Sequence, residues 1–197
     1  MTKTAEFMHI SLAVLILAFI ISFLQGFSIF LKGIIYAAIL LIINILAKKS
    51  TAYFLDIDAE TRLWHVQRYW FSKSSYFKKP FPAGLILPFV LIWLSLGYIK
   101  WLAVTEFQVY PKTSRVAKRF GLYRYTEITE SHIAFIASAG IFITLLSAGF
   151  AYLLNFPEFA RLSIYFASFN MLPLSNLDGS KIFFGSSIAW YVLATLC

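Results

Sequence analysis

The chain alternates long apolar runs with short polar stretches that are mostly basic. Phe7 to Phe27 has no charged residue and predicts a first membrane span, 7–27, with Gly26, Ser28, Lys32 and Gly33 marking a turn. A second span, 30–47, ends at Lys48 and Lys49; its length of about 18 residues approaches the roughly 20 needed to cross the hydrocarbon of a bilayer. Lys32 is placed to snorkel to the interface at its start. Residues 48–82 are polar, basic and aromatic and close on Pro80 and Pro82. The apolar run 83–104, interrupted by Pro88 and Gly97, either spans or dips in and returns. After a second basic stretch, Lys112 to Arg124, come three further predicted spans, 133–154, 159–174 and 182–197. The first of these is rich in small residues, among them Ala137, Gly140, Ala148 and Gly149, which let helix backbones approach closely in lipid. The last has about 16 residues and no polar flank, short for a full crossing and as expected of a shortened chain.

Composition supports lipid as the solvent. The 197 residues are 60% hydrophobic and 13% charged, whereas soluble domains carry about 25% charged residues. One membrane domain over 1–197 is expected, with the lipid bilayer as its first partner. The net charge of +8 would suggest nucleic acid in a soluble protein. Here the cations flank apolar runs, so membrane topology and anionic headgroups account for them, and no nucleic acid is expected. Cys197 is the single cysteine, so no intrachain disulfide is possible and the redox compartment is uninformative. Lys3 followed by an apolar run resembles a signal peptide. The residues after it, Gln25, Gly26 and Phe27, contain no small-x-small cleavage site, and a retained span is expected.

The stretch Phe169-Asn170-Met171-Leu172-Pro173-Leu174-Ser175-Asn176-Leu177-Asp178-Gly179 stands out. An ionisable residue in an apolar setting is expensive and marks a functional site by default. Asn170, Pro173, Asp178 and Gly179 resemble the FN-x-LP-x-x-x-LDG motif of the site-2 protease family, the intramembrane zinc metalloproteases. Ser180-Lys181-Ile182 continues as in archaeal-looking members. Ala139-Gly140-Ile141-Phe142-Ile143 is similar to the family's AGP-x-x-N segment, with Ile141 for Pro and Thr144 about where Asn stands. The resemblance covers roughly 30–197 and implies that Asp178 occupies the position of the third zinc ligand.

Family members also carry HExxH on a helix, two imidazoles one turn apart with Glu as general base. This sequence has no HExxH. Asn44-Ile45-Leu46-Ala47-Lys48-Lys49, then Thr51-Ala52 and Ala59-Glu60-Thr61-Arg62-Leu63-Trp64, resemble the family's HELAHK, TA and AE-x-RLW. In that register Asn44 and Lys48 stand at the histidines and Ile45 at the catalytic Glu. A second register puts Asp58 to Arg62 where HExxH belongs. Both remove the ligands. No catalytic residue is expected, and Asp178 is a metal ligand only if a metal is bound.

A relocated zinc site would have to recruit His65 or His132 with Glu60, Glu127 or Glu130, and nothing fixes their spacing. His132, at a helix start, reads as an interfacial or capping residue. Asn44 and Lys48, at i and i+4, share a helix face. If the helices pack as the resemblance implies, that face meets Asp178. The Lys48 ammonium then stands in for zinc, and Asn44 hydrogen-bonds the same carboxylate. Asp56 and Glu60, one turn apart if helical, fit a solvated face better than a cation site. The aromatic and basic stretch Trp64 to Phe77 fits interfacial anchoring better than a nucleic-acid grip.

The positive-inside rule puts both basic stretches, Lys48 to Lys79 and Lys112 to Arg124, in the cytoplasm. That requires 83–104 to re-enter, with protein covering its loose backbone, and it makes the amino terminus cytoplasmic. The expectation is an all-α polytopic protein of the cell membrane, a site-2-protease-like helical bundle with a re-entrant segment. Without zinc no group activates water, so a non-proteolytic homologue is expected. It would need no cofactor and would bind a transmembrane helix of another protein or a partner protein. The alternative is an active metalloprotease that holds zinc with a non-standard ligand set. A transporter is disfavoured because no inverted repeat is visible and few polar residues lie at membrane depth beyond Lys100 and Asp178.

Overall fold

The computed structural model describes residues 3–68, 76–112, 119–120, 123–124 and 128–197. In chain order the elements are α1 (Lys3–Ser22), α2 (Phe27–Phe54), β1 (Ile57–Leu63), β2 (Val66–Arg68), β3 (Tyr76–Phe81), α3 (Ala83–Leu94), β4 (Thr105–Pro111), β5 (Arg119–Phe120), β6 (Tyr123–Arg124), α4 (Glu130–Leu153), α5 (Pro157–Asn170), α6 (Asp178–Gly185) and α7 (Ser187–Leu196). The protein is mostly helical, and α1, α2 and α4 are long and apolar enough to cross a membrane.

The all-α expectation needs correction. Among the described residues the polar stretches form three two-stranded antiparallel sheets, β1–β4, β2–β3 and β5–β6. In the first, Ile57 pairs with Pro111 and Leu63 with Thr105. The alternation that makes it a sheet is in the sequence. Ile57, Thr61, Leu63, Thr105 and Phe107 are buried on one face, while Asp58, Glu60, Arg62, Gln108 and Tyr110 share the other. Asp56 (φ 55°) precedes this strand, so Asp56 and Glu60 are not a helical pair. Asp58 to Arg62 likewise cannot present an HExxH-like helix face.

Element ends also move. The turn after α1 is confined to residues 23–26, and Gly33 lies inside α2 against Ala18. α2 does not stop at Lys48 and Lys49 but runs to Phe54. Lys48 is buried, and Lys49 pairs with Glu6 of α1 at 2.7 Å. The same Glu6 carboxylate accepts the Thr61 N–H at 3.1 Å. The start of α1, the end of α2 and β1 are thereby tied together. The predicted span 159–174 stops at Asn170, and 182–197 divides between α6 and α7. The break is at Ser186, whose extended backbone ends α6 while its Oγ accepts the Ala189 N–H to cap α7.

The run 83–104 leaves and returns at one place. Trp64 donates its N–H to Val104 and accepts that of Gly84, both at 2.8 Å. A Cβ on Gly84 would lie 2.3 Å from the Val104 oxygen, so only glycine allows the two ends to touch. Between them α3 extends for about 18 Å. The chain turns at Gly97 (φ 91°), and residues 101–104 return buried. At the tip the Lys100 ammonium donates to the Ile21 carbonyl (3.3 Å), so the run reaches the far end of α1. Trp93 and Tyr98 are exposed there, as aromatic side chains at a membrane interface are.

Trp64 departs from expectation. It is 3% exposed and stacks on Trp101 with ring centres 6.1 Å apart, so it is a packing residue rather than an anchor in the headgroups. Residues 69–75 of that aromatic stretch, and most of the second basic stretch, lie outside the described residues.

Candidate functional site

α2 and α4 run antiparallel and meet through polar side chains at the end of the molecule that holds β1 and β4. Asn44 and Lys48, one turn apart on α2, both lie against Gly140 of α4. The missing Cβ is what admits the lysine: one placed there would sit 2.6 Å from Lys48 Cε. After α5 the connector 171–177 brings the chain back, and Asp178 opens α6 beside the same lysine. Lys48 Nζ donates to Asp178 Oδ2 at 2.6 Å, with the side chains 6% and 0% exposed. The expected lysine–aspartate contact is therefore made.

The expected role of Asn44 is not. Its Nδ2 donates to Thr144 Oγ1 (3.1 Å), and that hydroxyl donates to the Gly140 carbonyl (2.8 Å). Asp178 Oδ1 has no hydrogen-bond partner among the described residues. Ile45 points away from this cluster and packs among Leu41, Leu63 and the α1 residues. The remaining motif residues serve local structure. Asn170 donates to the Phe166 carbonyl in its own helix (2.8 Å), Pro173 is exposed in the connector, and a Cβ on Gly179 would strike the Met171 carbonyl.

Two residues not singled out by charge patterning complete the cluster. Phe107 of β4 lies between two ammonium groups, with Lys48 Nζ 5.0 Å and Lys181 Nζ 3.8 Å from its ring centre. Both are cation–π distances. Lys181 also donates to the Phe107 carbonyl. The neighbouring strand residue, Glu106, is buried, and its Oε2 has no hydrogen-bond partner among the described residues. Burial pushes its carboxyl above the usual glutamate range. Lys181, the fields and N–H of His65, and Asn176 oppose that rise without cancelling it.

The ionised form of Glu106 is thus the costly one. It imposes no penalty below the ordinary glutamate range and its full penalty above the raised value. The wild type should lose stability as pH climbs through that interval. Glu106→Gln should remove this slope, so that stability no longer falls between acid and neutral pH. Thermal unfolding of the detergent-solubilised protein at acid and neutral pH measures both.

No histidine is bonded to Asp178 among the described residues, although His65 borders Glu106. His65 Nδ1 lies 2.6 Å from the Leu63 carbonyl, and His132 Nδ1 lies 2.6 Å from Thr129 Oγ1 at the start of α4. Glu60 is paired with Arg62 at 2.9 Å, and Glu127 lies outside the described residues. Among the described residues no three His, Cys, Asp or Glu side chains gather closely enough to hold a metal. Around Asp178 itself the groups are two ammoniums, an amide engaged with Thr144 and a phenyl ring. Zinc takes His, Cys or carboxylate ligands, and this set does not fit it.

The fold and site define a helical protein with three membrane-crossing candidates, in which a buried ammonium–carboxylate pair joins α2 to α6. Comparison with protein-family models, curated proteins and solved structures finds no match.

Proposed function

We propose that this chain is a non-proteolytic relative of the site-2 proteases, in which Lys48 supplies the positive charge that zinc would supply. The observation that carries this is the 2.6 Å contact between Lys48 and Asp178. The two residues are 130 positions apart. The resemblance assigns one to a histidine ligand position and the other to the aspartate ligand position. In this chain Ile45 offers no proton acceptor, and the pair consumes the carboxylate that would face a metal.

What such a protein retains is the groove between β4 and the start of α4, lined by Val109, Ile133, Asn176 and Lys181. It binds a transmembrane helix or its flanking segment without cutting it. The run 83–104 re-enters the membrane from the face that bears Lys48, Lys49 and Lys112, and that face and the amino terminus are cytoplasmic.

The test has two readouts. Purified protein should contain substoichiometric zinc, and a photo-crosslinker at Val109 or Ile133 in native membranes should capture membrane proteins at full length. One zinc per chain together with chelator-sensitive cleavage of a captured protein would establish the protease instead. Loss of all membrane-protein adducts would end the binding half.

A further inference from the structure

The far end of the molecule, away from Asp178, carries a second opening that the proposed function does not use. It is an apolar cleft of about 780 Å³ between the second half of α4 and the start of α5. Phe142, Leu146, Leu153 and Ile164 line it, and all four are exposed in the free chain. A Cβ on Gly149, which also lines the cleft, would meet nothing within 4 Å. The one charged group in the lining is Arg161. It is exposed and makes no hydrogen bond or ion pair among the described residues.

The position of that cation decides what fits. Arg161 follows Pro157 by one helical turn, so it stands level with the last turns of α4, where a spanning helix emerges from the hydrocarbon. From Phe142 to Leu153 the cleft follows α4 for about 16 Å. It is therefore a slot parallel to a membrane-crossing helix, apolar along its length, with one guanidinium at the interfacial end. Its lining is apolar except at that one end, where Arg161 stands. A hydrocarbon chain with one anionic group at its head matches both the shape and the single charge. Guanidinium binds two phosphate oxygens in a charge-assisted fork, which an uncharged hydroxyl headgroup cannot accept in the same way.

We propose that this cleft binds one phospholipid, with an acyl chain along α4 and its phosphate on Arg161. The experiment is native mass spectrometry of the full chain in detergent, with added dioleoyl phosphatidylglycerol or dioleoylglycerol as probes. The wild type should retain one phosphatidylglycerol in preference to dioleoylglycerol. Arg161→Gln should lower that occupancy about tenfold and abolish the preference, as expected for loss of a charge-assisted contact. Gly149→Leu should exclude both lipids by filling the slot, and its better helix propensity keeps α4 folded. Equal retention of both lipids by the wild type would overturn the assignment. So would wild-type occupancy in Gly149→Leu, or a crosslink from Ile164 that joins two copies of the chain instead of lipid.

Discussion

Lys48→Met should destabilise the protein by about 3–5 kcal/mol, because it strands a buried carboxylate without its counter-charge. Asp178 is fully buried, and its Oδ1 already lacks a partner among the described residues, so losing the contact at Oδ2 leaves no hydrogen bond from them to that carboxylate. Lys181 is the nearest replacement, but its ammonium is held by the Phe107 carbonyl and ring. Asp178→Leu alone should cost a similar amount by stranding Lys48. The double variant Lys48→Met/Asp178→Leu should recover most of the loss, since a buried ion pair is worth little more than apolar groups of the same shape. Denaturant unfolding in detergent, read as a double-mutant cycle, gives the coupling. Single variants as stable as the wild type would mean that the pair contributes nothing to the fold.

The second large effect is a gain. Asn44→His/Lys48→His should convert a chain with substoichiometric zinc into one that keeps about one zinc through dialysis. Both positions flank Gly140 one turn apart, and Lys48 already touches Asp178. Two imidazoles there, with that carboxylate, supply three ligands of the right kind. Adding Asp178→Ala should abolish the retention. A folded double variant that retains no zinc would break the correspondence between Asn44, Lys48 and the family's histidines. Adding Ile45→Glu should cost stability, because Ile45 packs in an apolar cluster with Leu41 and Leu63.

Much of this was legible in the chain. The hydrophobic runs located α1, α2 and α4, since helices in lipid need little more than length and apolarity. Helical spacing and the Asn-x-x-Pro…Asp-Gly pattern together placed Lys48 opposite Asp178. The Pro88 and Gly97 interruptions marked the bent run, and Gly97 is the turn.

The failures have physical causes. β1 and β4 were missed because each strand has only seven residues, and their partners are brought together by a run of about forty residues between them. Their alternation is present, but charged residues such as Asp58, Glu60 and Arg62 dominate the exposed face of β1 and mask it. Asn44 was assigned to Asp178 from face-sharing alone, whereas Thr144, given only as an approximate Asn substitute, lies closer to its amide. Glu106 and Phe107 carry no motif, and only the pairing of β4 with β1 brings them to the cluster.

The contact of Trp64 with both Gly84 and Val104 has a topological consequence. A chain whose excursion begins and ends at one residue crosses any flat slab an even number of times in between. The two ends of the segment 84–104 therefore lie at one depth, however far its tip reaches. On the proposed re-entrant topology, short epitope insertions at Lys78 and at Lys112 are expected to be accessible from the same compartment. Whichever side reaches the first reaches the second.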